Sequence, residues 1–475
     1  MNNLNNSGVV NLFDTITDNN KLVFLDVKTD SKYKLNQIIL PFDTYIAPQK
    51  KLVFLYLNSS LNALATYISF LKTNHAIVLL SDSIDEHLKT NLENEYQPFI
   101  IYDGNRTSAL NYEAKDVRND TLEVNLFLNK SLKTAVNANI KILLSTSGTT
   151  GSPKLVKLSD DNILQNAISI SGYLPINQDD VVPLNLPLNY SYGLSILHSN
   201  AITGGTIVCG LPDILDRNFW KFLDTYSFTS IAGVPFIYEM LNRIGFLKKQ
   251  YPSLKYISQA GGNLSKNIKI QFNEYCIENN IQFFVMYGQT EATARISYVP
   301  ASELKNKITS IGKPIKNGKI TIDEKTGELL YSGPNVFGGY ATKKADLLIW
   351  EDRKSLKTGD LAFKDEDGFY HIKGRLKRIV KVFGNRVNLD EIEAFIKSSL
   401  NMSLLACTGI NDQFILIAHS NLDIAETELK KKIFETYKIH GSAIKFEYFE
   451  TLPKTKNEKV DYKKITEIYL KDKKS

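Results

Sequence analysis

Cysteine is scarce: three residues, Cys209, Cys276 and Cys407, stand far apart with no CxxC pair. That argues against a disulfide framework and against a zinc site of the usual spacing, and leaves buried or incidental thiols. Long apolar runs are missing as well. The longest, such as Leu52-Val-Phe-Leu-Tyr56 and Ala76-Ile-Val-Leu-Leu80, have strand length and fall far short of the roughly 20 residues that cross a bilayer. The start, Met1-Asn-Asn-Leu-Asn-Asn-Ser7, has neither a basic segment nor an apolar core, so no secretory signal is visible and a cytoplasmic location is expected. Charge of one sign is also lacking. Lys+Arg 57 against Asp+Glu 51 leaves a net +6, too weak a field to suggest nucleic acid. The basic stretches, Lys430-Lys-Lys432 and the tail from Lys463, read first as solvated helix faces and second as a dock for an acidic carrier.

With 475 residues and 43% hydrophobic content, the chain has material for a large core and for two or three domains. Short apolar strands alternate with amphipathic stretches: Leu52–Tyr56, then 60–72, then Ala76–Leu80. The rhythm continues through Thr206–Cys209, Ser230–Val234 and Ile281–Met286, with helical patterns over 236–248 and 264–279. This predicts an α/β body with largely parallel, doubly covered sheets. From Gly318 the pattern becomes short and turn-rich, as expected for a small antiparallel barrel or sheet. A basic turn from Lys377 to Asn388 and a helical run from Asp390 to Ser399 follow. The expected layout is therefore a large N-terminal domain of residues 1–376 and a small α+β C-terminal domain of residues 377–475.

What is abundant is hydroxyl and glycine in one place. Ser145-Thr-Ser-Gly-Thr-Thr-Gly-Ser-Pro-Lys154 carries six hydroxyls, two glycines and a lysine directly after the apolar Ile142-Leu-Leu144. Phosphoryl oxygens want such donors, exposed N–H groups and a cation. The alternative is an ordinary Ser/Gly turn. The spacing is not that of a P-loop, because the lysine follows a proline rather than a glycine.

A second cluster, Tyr287-Gly-Gln-Thr-Glu291, follows the strand-like Phe283–Met286, and chemistry gathers at the carboxyl ends of such strands. Tyr287 offers a flat face to a base, Thr290 a donor to phosphate, and Glu291 a hard oxygen for Mg²⁺; a capped helix start would also use Thr and Glu. Thr358-Gly-Asp360 puts an acid after a glycine, where it can accept ribose hydroxyls or merely close a turn. Gly374-Arg375-Leu-Lys377, Lys381, Gly384, Asn385 and Arg386 form a basic, glycine-bearing segment. Leu452-Pro-Lys-Thr-Lys-Asn-Glu-Lys459 offers a lysine on a loop.

In order and spacing these blocks resemble the acyl-adenylate-forming superfamily of acyl-CoA synthetases, luciferases and nonribosomal adenylation domains. The likeness runs from about Lys141 to Tyr462, with further matches at Ala232-Gly-Val-Pro235, Gln259-Ala-Gly-Gly262 and from Gly327 to Tyr340. It implies ATP-dependent activation of a carboxylic acid as acyl-AMP, with loss of pyrophosphate. Transfer to a thiol follows, to CoA or else to the phosphopantetheine of an acyl carrier protein. It also implies positions. Thr146, Ser147, Gly148, Thr149, Thr150, Gly151 and Lys154 would surround the β and γ phosphates. Tyr287 would stack on adenine and Gly261, Gly262, Gly288 and Gln289 would be further cofactor-binding positions, with Thr290 on the α-phosphate and Glu291 on Mg²⁺. Asp360 would hold ribose and Arg375 ribose or phosphate. Lys377 would be the hinge, Lys459 the catalytic cation of adenylation, and Lys381 a residue of the face used for thiol transfer.

Departures from the family pattern are Glu458 where glycine is usual and Tyr462 where a base is common. The acyl pocket falls on Tyr190, Ser191, Gly193, Val234 and Pro235. Ser191 stands where amino-acid-activating members carry aspartate, so an α-amino group would lose roughly 1–3 kcal/mol of charge-assisted bonding. A plain or hydroxylated acyl or aryl acid is therefore favoured. Arg295 reads either as a surface or core-edge arginine or as a partner for a second carboxylate.

Overall fold

The computed structural model describes residues 11–42, 49–132, 134–145, 154–382, 385–400, 405–411, 413–421, 424–455 and 459–473. Packing divides the chain into two units. One takes the described residues of Met1–Thr146, Ser152–Lys319 and Ser332–Leu356; the other takes those of Ile320–Tyr331 and Lys357–Ser475.

The first unit is built on three sheets. In the largest, eight strands lie in the order Tyr340–Ala341, Leu155–Leu158, Ile142–Ser145, Ala76–Ser81, Leu52–Leu57, Ile100–Asp103, Glu123–Leu128, Glu113–Arg118. The central four pair in parallel and the outer ones antiparallel. All six residues of Leu52–Leu57 are buried, which explains why they form one unbroken apolar run rather than an alternating one: parallel strands are covered on both faces. Helix Leu61–Lys72, capped by the Ser60 side chain accepting from Ala63 N, supplies part of that cover.

The second sheet carries the parallel strands Ser230–Gly233, Tyr256–Gln259 and Gln282–Tyr287, then Ser297–Val299 and Lys313–Pro314 antiparallel. The third joins Val181–Pro183, Thr206–Cys209 and Val23–Asp26 in parallel, with Ser31–Lys34 antiparallel at the edge. Every strand expected from the alternation before residue 290 is present. The expected helix over 236–248 is shorter, Pro235–Arg243, and the next is Lys266–Glu278.

The second unit begins with a four-stranded sheet in the order Lys319–Ile322, Glu328–Ser332, Leu356–Lys364, Tyr370–Arg375, at the place expected for the small barrel or sheet. It groups by packing with the C-terminal residues. Beyond it come the hairpin Ile379–Val382/Asn385–Asn388, helix Leu389–Leu400, and a mixed sheet of Leu405–Ile410, Phe414–His419 and Ile444–Tyr448. Helices Glu426–Tyr437 and Tyr462–Asp472 complete an α+β arrangement. No described helix is long and apolar enough to cross a membrane. All three cysteines are buried and free, and burial raises the thiols of Cys209 and Cys276 to about 12.

Candidate active site

Strand Gln282–Tyr287 ends the run of parallel strands in its sheet and delivers Tyr287 at its carboxyl end. The chain then turns so tightly that a Cβ on Gly288 would lie 1.9 Å from the carbonyl oxygen of Ala294. Thr290–Ala292 make one 3₁₀ turn, after which Thr293 (φ +59°) and Ala294 (φ +137°) both take left-handed backbone. Non-glycine residues pay about 1–3 kcal/mol for such conformations and keep them only where neighbours over-determine them. Here Asn335 does so. Its Nδ2 donates to the carbonyls of Ala292 (2.7 Å) and Arg295 (2.8 Å), and its own carbonyl accepts from Thr293 Oγ1 (2.7 Å).

Glu291 is held from two sides. Phe337 N donates to its carbonyl at 3.0 Å, and Tyr340 Oη donates to Oε1 at 2.8 Å. Burial and the Glu291 charge push the Tyr340 phenol well up, so it remains a donor. Lys154 Nζ lies 5.6 Å from the centroid of the Tyr340 ring, close enough for a cation–π contact. Gln289 Nε2 is buried and has no hydrogen-bond partner among the described residues. A single carboxylate with hydroxyls around it fits Mg²⁺, which takes one or two protein carboxylates and fills its remaining positions with water and substrate phosphates.

Ser191 Oγ lies 3.3 Å from Thr290 Oγ1, which joins this loop to the expected acyl pocket. Tyr190 caps helix Ser191–Ala201 and Gly193 sits buried in its first turn. Val234 caps helix Pro235–Arg243, with Pro235 at the first helical position, where a missing N–H does no harm. Gly261 has φ +83°, and a Cβ there would come within 2.3 Å of Tyr190 Oη and 3.2 Å of Val234 Cγ1. Gly262 is fixed through its carbonyl, which accepts from Gln259 Nε2 at 2.9 Å. Tyr190, Ser191, Val234, Gly261, Thr290 and Glu291 therefore belong to one neighbourhood of the first unit. Arg295 is buried below it, its guanidinium 4.2 Å from the Tyr192 ring centroid.

In the second unit Asp360 and Arg375 face each other as register partners on adjacent strands, with Arg375 Nε 3.1 Å from Asp360 Oδ1. Gly359 N donates to Glu328 Oε1 at 2.9 Å, and Thr358 Oγ1 accepts from Asp360 N at 3.1 Å. Lys377 lies in the turn Leu376–Arg378. Next to it, Arg378 pairs with Asp390 and with Glu393 and stacks 3.7 Å from the centroid of Tyr462, whose hydroxyl donates to Glu393 at 3.2 Å. Tyr462, the departure from the family pattern, thus packs on the arginine beside the expected hinge. Lys381 is exposed on its hairpin, its N–H donating to Asn411 Oδ1 at 2.7 Å. The carbonyl of Lys459 accepts from Thr455 N at 2.7 Å. Its ammonium pKa is lowered by desolvation and then by the Arg375 charge, although the residue as a whole is exposed. Thr146, Ser147, Gly148, Thr149, Thr150, Gly151, Gly384 and Glu458 lie outside the described residues.

Sequence reasoning did not single out Asn335 or Tyr340. The only signal was the matching block from Gly327 that ends at Tyr340, and nothing in its composition tells which residue reaches Glu291.

A family model described as "AMP-binding enzyme" matches residues 50–341, more than half the chain. The chain belongs to this AMP-binding family. As a family member it is 31% identical over 287 residues to the 2-succinylbenzoate–CoA ligase of Bacillus mycoides. It is 30% identical over 281 residues to that of Bacillus cereus. Each alignment covers 57% of both chains, so the chain spans little more than half the length of the curated relatives it matches. Among solved structures, the o-succinylbenzoate CoA synthetase of Bacillus subtilis in complex with its acyl-adenylate intermediate superposes with a TM-score of 0.74. The two are 20% identical, over 96% of this chain and 97% of that one. The amide bond synthetase of Marinactinospora thermotolerans does so with 0.74 at 16% identity, over 96% and 99%. At these identities the likeness establishes the fold: an α/β architecture with a large N-terminal and a small C-terminal part, as expected.

Proposed function

We propose that this protein activates a carboxylic acid with ATP, releasing pyrophosphate and forming an acyl-adenylate, and then passes the acyl group to the thiol of CoA. The observation that carries the reading is the loop from Tyr287 to Arg295. Its strained backbone is pinned by Asn335, and it sets Thr290 against Ser191 while Tyr340 fixes Glu291. A carboxylate is a poor electrophile, and converting it to a mixed anhydride needs a phosphate grip beside an acyl pocket. That juxtaposition is what the Thr290–Ser191 contact supplies. CoA is favoured as acceptor over a carrier protein because the curated relatives are named CoA ligases.

In this reading Tyr287 stacks on adenine and the unpartnered Gln289 Nε2 donates to it, with Gly261, Gly262 and Gly288 letting backbone approach the nucleotide. Thr290 binds the α-phosphate, and Thr146, Ser147, Gly148, Thr149, Thr150, Gly151 and Lys154 hold the leaving pyrophosphate. Glu291 holds Mg²⁺, which neutralises phosphate charge. Asp360 accepts the ribose hydroxyls, with Arg375 beside it. Lys459 supplies the cation where charge develops between carboxylate and α-phosphate. Lys381 serves the thiol step after movement at a hinge near Lys377, which separates residues 1–376 from 377–475, and a cytoplasmic site of action accords with CoA supply. Acid-dependent exchange of labelled pyrophosphate into ATP tests the reading, screened over carboxylic acids and followed by thioester formation with CoA. ATP binding without exchange for any acid would refute it.

A further inference from the structure

The described residues around Lys459 are held to one another by short-range bonds. Thr455 N donates to the Lys459 carbonyl at 2.7 Å, Asp461 N donates to the Pro453 carbonyl at 2.8 Å, and Lys454 and Val460 pair as an antiparallel bridge. These bonds shape a narrow ribbon but do not fix where it stands on the C-terminal unit. Val460 packs on an apolar cluster, a contact without direction. The Asp461 side chain accepts only from the nearby Lys464 N. Beyond Lys459, the first side chain that bonds to a distant element is that of Tyr462.

Tyr462 opens the helix Tyr462–Asp472. Its ring lies 3.7 Å from the Arg378 guanidinium, centroid to carbon, and its hydroxyl donates to Glu393 Oε1 at 3.2 Å. Burial, and after it the Glu393 charge, raises the phenol pKa, so the hydroxyl stays a donor. Glu393 is 8% exposed and also accepts from Arg378 Nη2 at 3.1 Å, Lys397 Nζ at 2.7 Å and Cys407 N at 2.9 Å. Four donors therefore fix this carboxylate. Arg378 Nε pairs with Asp390, whose other oxygen accepts from Arg375 N at 2.8 Å. One chain of bonds thus runs from the Arg375 backbone through Asp390, Arg378 and Glu393 to Tyr462. Arg375, the partner of Asp360, stands at one end, and Lys459, three positions before Tyr462, stands at the other. The two cations are near enough for the Arg375 charge to lower the Lys459 pKa, after the larger effect of desolvation.

We propose that Tyr462 is a positioning residue for adenylation: its stack on Arg378 and its bond to Glu393 set the reach of Lys459 relative to Arg375 and Asp360. The proposal rests on the acid-activating reading above and adds the residue that places its catalytic cation. A ring suits the position because Arg378 already supplies the charge that Glu393 pairs with, and the ring offers its face to that guanidinium. The thiol step in the same reading follows movement near Lys377 and does not use Lys459, so it does not need this register.

The test is a single-turnover comparison of the two half-reactions by the full chain, using the best acid of the exchange screen. Adenylation is started from ATP and the acid, and thioester formation from supplied acyl-AMP and CoA. Tyr462→Leu keeps an apolar side chain but loses the ring face and the hydroxyl. Its adenylation is expected to fall about 100-fold, the effect of a misplacement near 1 Å, while thioester formation stays near the wild-type rate. Tyr462→Phe keeps the ring on Arg378 and is expected to recover part of the lost rate. A tyrosine that merely fastens the helix to its unit would slow both half-reactions together. That result, or unchanged adenylation in a folded Tyr462→Leu, overturns the proposal. Should Tyr462→Leu not fold, Tyr462→Phe decides by the same comparison: a loss confined to adenylation supports the proposal, and an equal loss or none overturns it. Equal losses of both half-reactions in Lys459→Ala remove the proposal and leave the acid-activating reading standing, whereas a wild type that exchanges with no acid removes both.

Discussion

Replacing Tyr340 by phenylalanine removes one oxygen and one hydrogen bond, the 2.8 Å donation to Glu291 Oε1. The ring stays, and with it the edge-on contact with Phe337 at 4.9 Å and the position under Lys154. A hydrogen bond to a charged acceptor contributes about 1.5–3 kcal/mol. In the free protein part of that is recovered when the freed carboxylate turns to water, since Glu291 is only half-buried. The larger effect is expected on the metal. A carboxylate that must be in place before Mg²⁺ arrives loses its orientation, and mutation of groups that orient metal ligands typically weakens metal affinity 10- to 100-fold. The half-saturating Mg²⁺ concentration for pyrophosphate exchange should therefore rise at least about 10-fold in Tyr340→Phe, with the KM for the acid little changed. Unaltered Mg²⁺ dependence in a folded Tyr340→Phe protein would refute the role given to Glu291, because no other described group holds that carboxylate.

Lys459→Ala should reduce adenylation by about 100-fold or more while leaving thioester formation from supplied acyl-AMP much less affected; single-turnover assays of the two half-reactions decide, and equal losses count against the assignment. Gly261→Ala combines an unfavourable φ with a clash against Tyr190 Oη, the movable end of a side chain. The protein should fold, with the KM of the acid raised more than that of ATP. His198 is buried and shares a 2.7 Å hydrogen bond with Tyr67 Oη as a neutral ring, burial having pushed its pKa down to about 3. An unfolded histidine titrates near 6.5, so between these values the unfolded chain binds the extra proton and stability falls as pH falls. The loss amounts to about 2 kcal/mol by pH 5. Urea midpoints of His198→Gln should show a shallower acid decline than the wild type, and parallel declines would count against a neutral buried ring.

The strands of the first unit that were legible were those covered on both faces, which must be continuous apolar runs of strand length whatever they pack against, as in Leu52–Leu57 and Ala76–Ser81; exposed or edge strands such as Glu113–Arg118 and Ser31–Lys34 carry no such run. The short local motifs were legible for a related reason. The backbone at Gly288 leaves no room for a side chain, and residues such as Tyr287, Thr290 and Glu291 lie within a few positions of the strand that presents them. The sheet at 319–375 was less readable as to which body it joins, because short turn-rich strands carry little apolar pattern and their packing partners lie outside them.

What the sequence determined by itself was the buried apolar strands and the glycines and polar residues that follow them, since both depend on side-chain period and backbone freedom over a handful of residues. Only the tertiary structure decided that Asn335 pins the Thr293–Ala294 strain, that Tyr340 holds Glu291, and that Arg378 and Tyr462 stack beside Lys377. It alone decided, too, that Arg295 is a buried cation rather than a surface or core-edge residue. Each of these joins groups between 40 and 84 residues apart or depends on burial. Hydrogen bonding and desolvation are properties of distance in space, and spacing along the chain does not encode them.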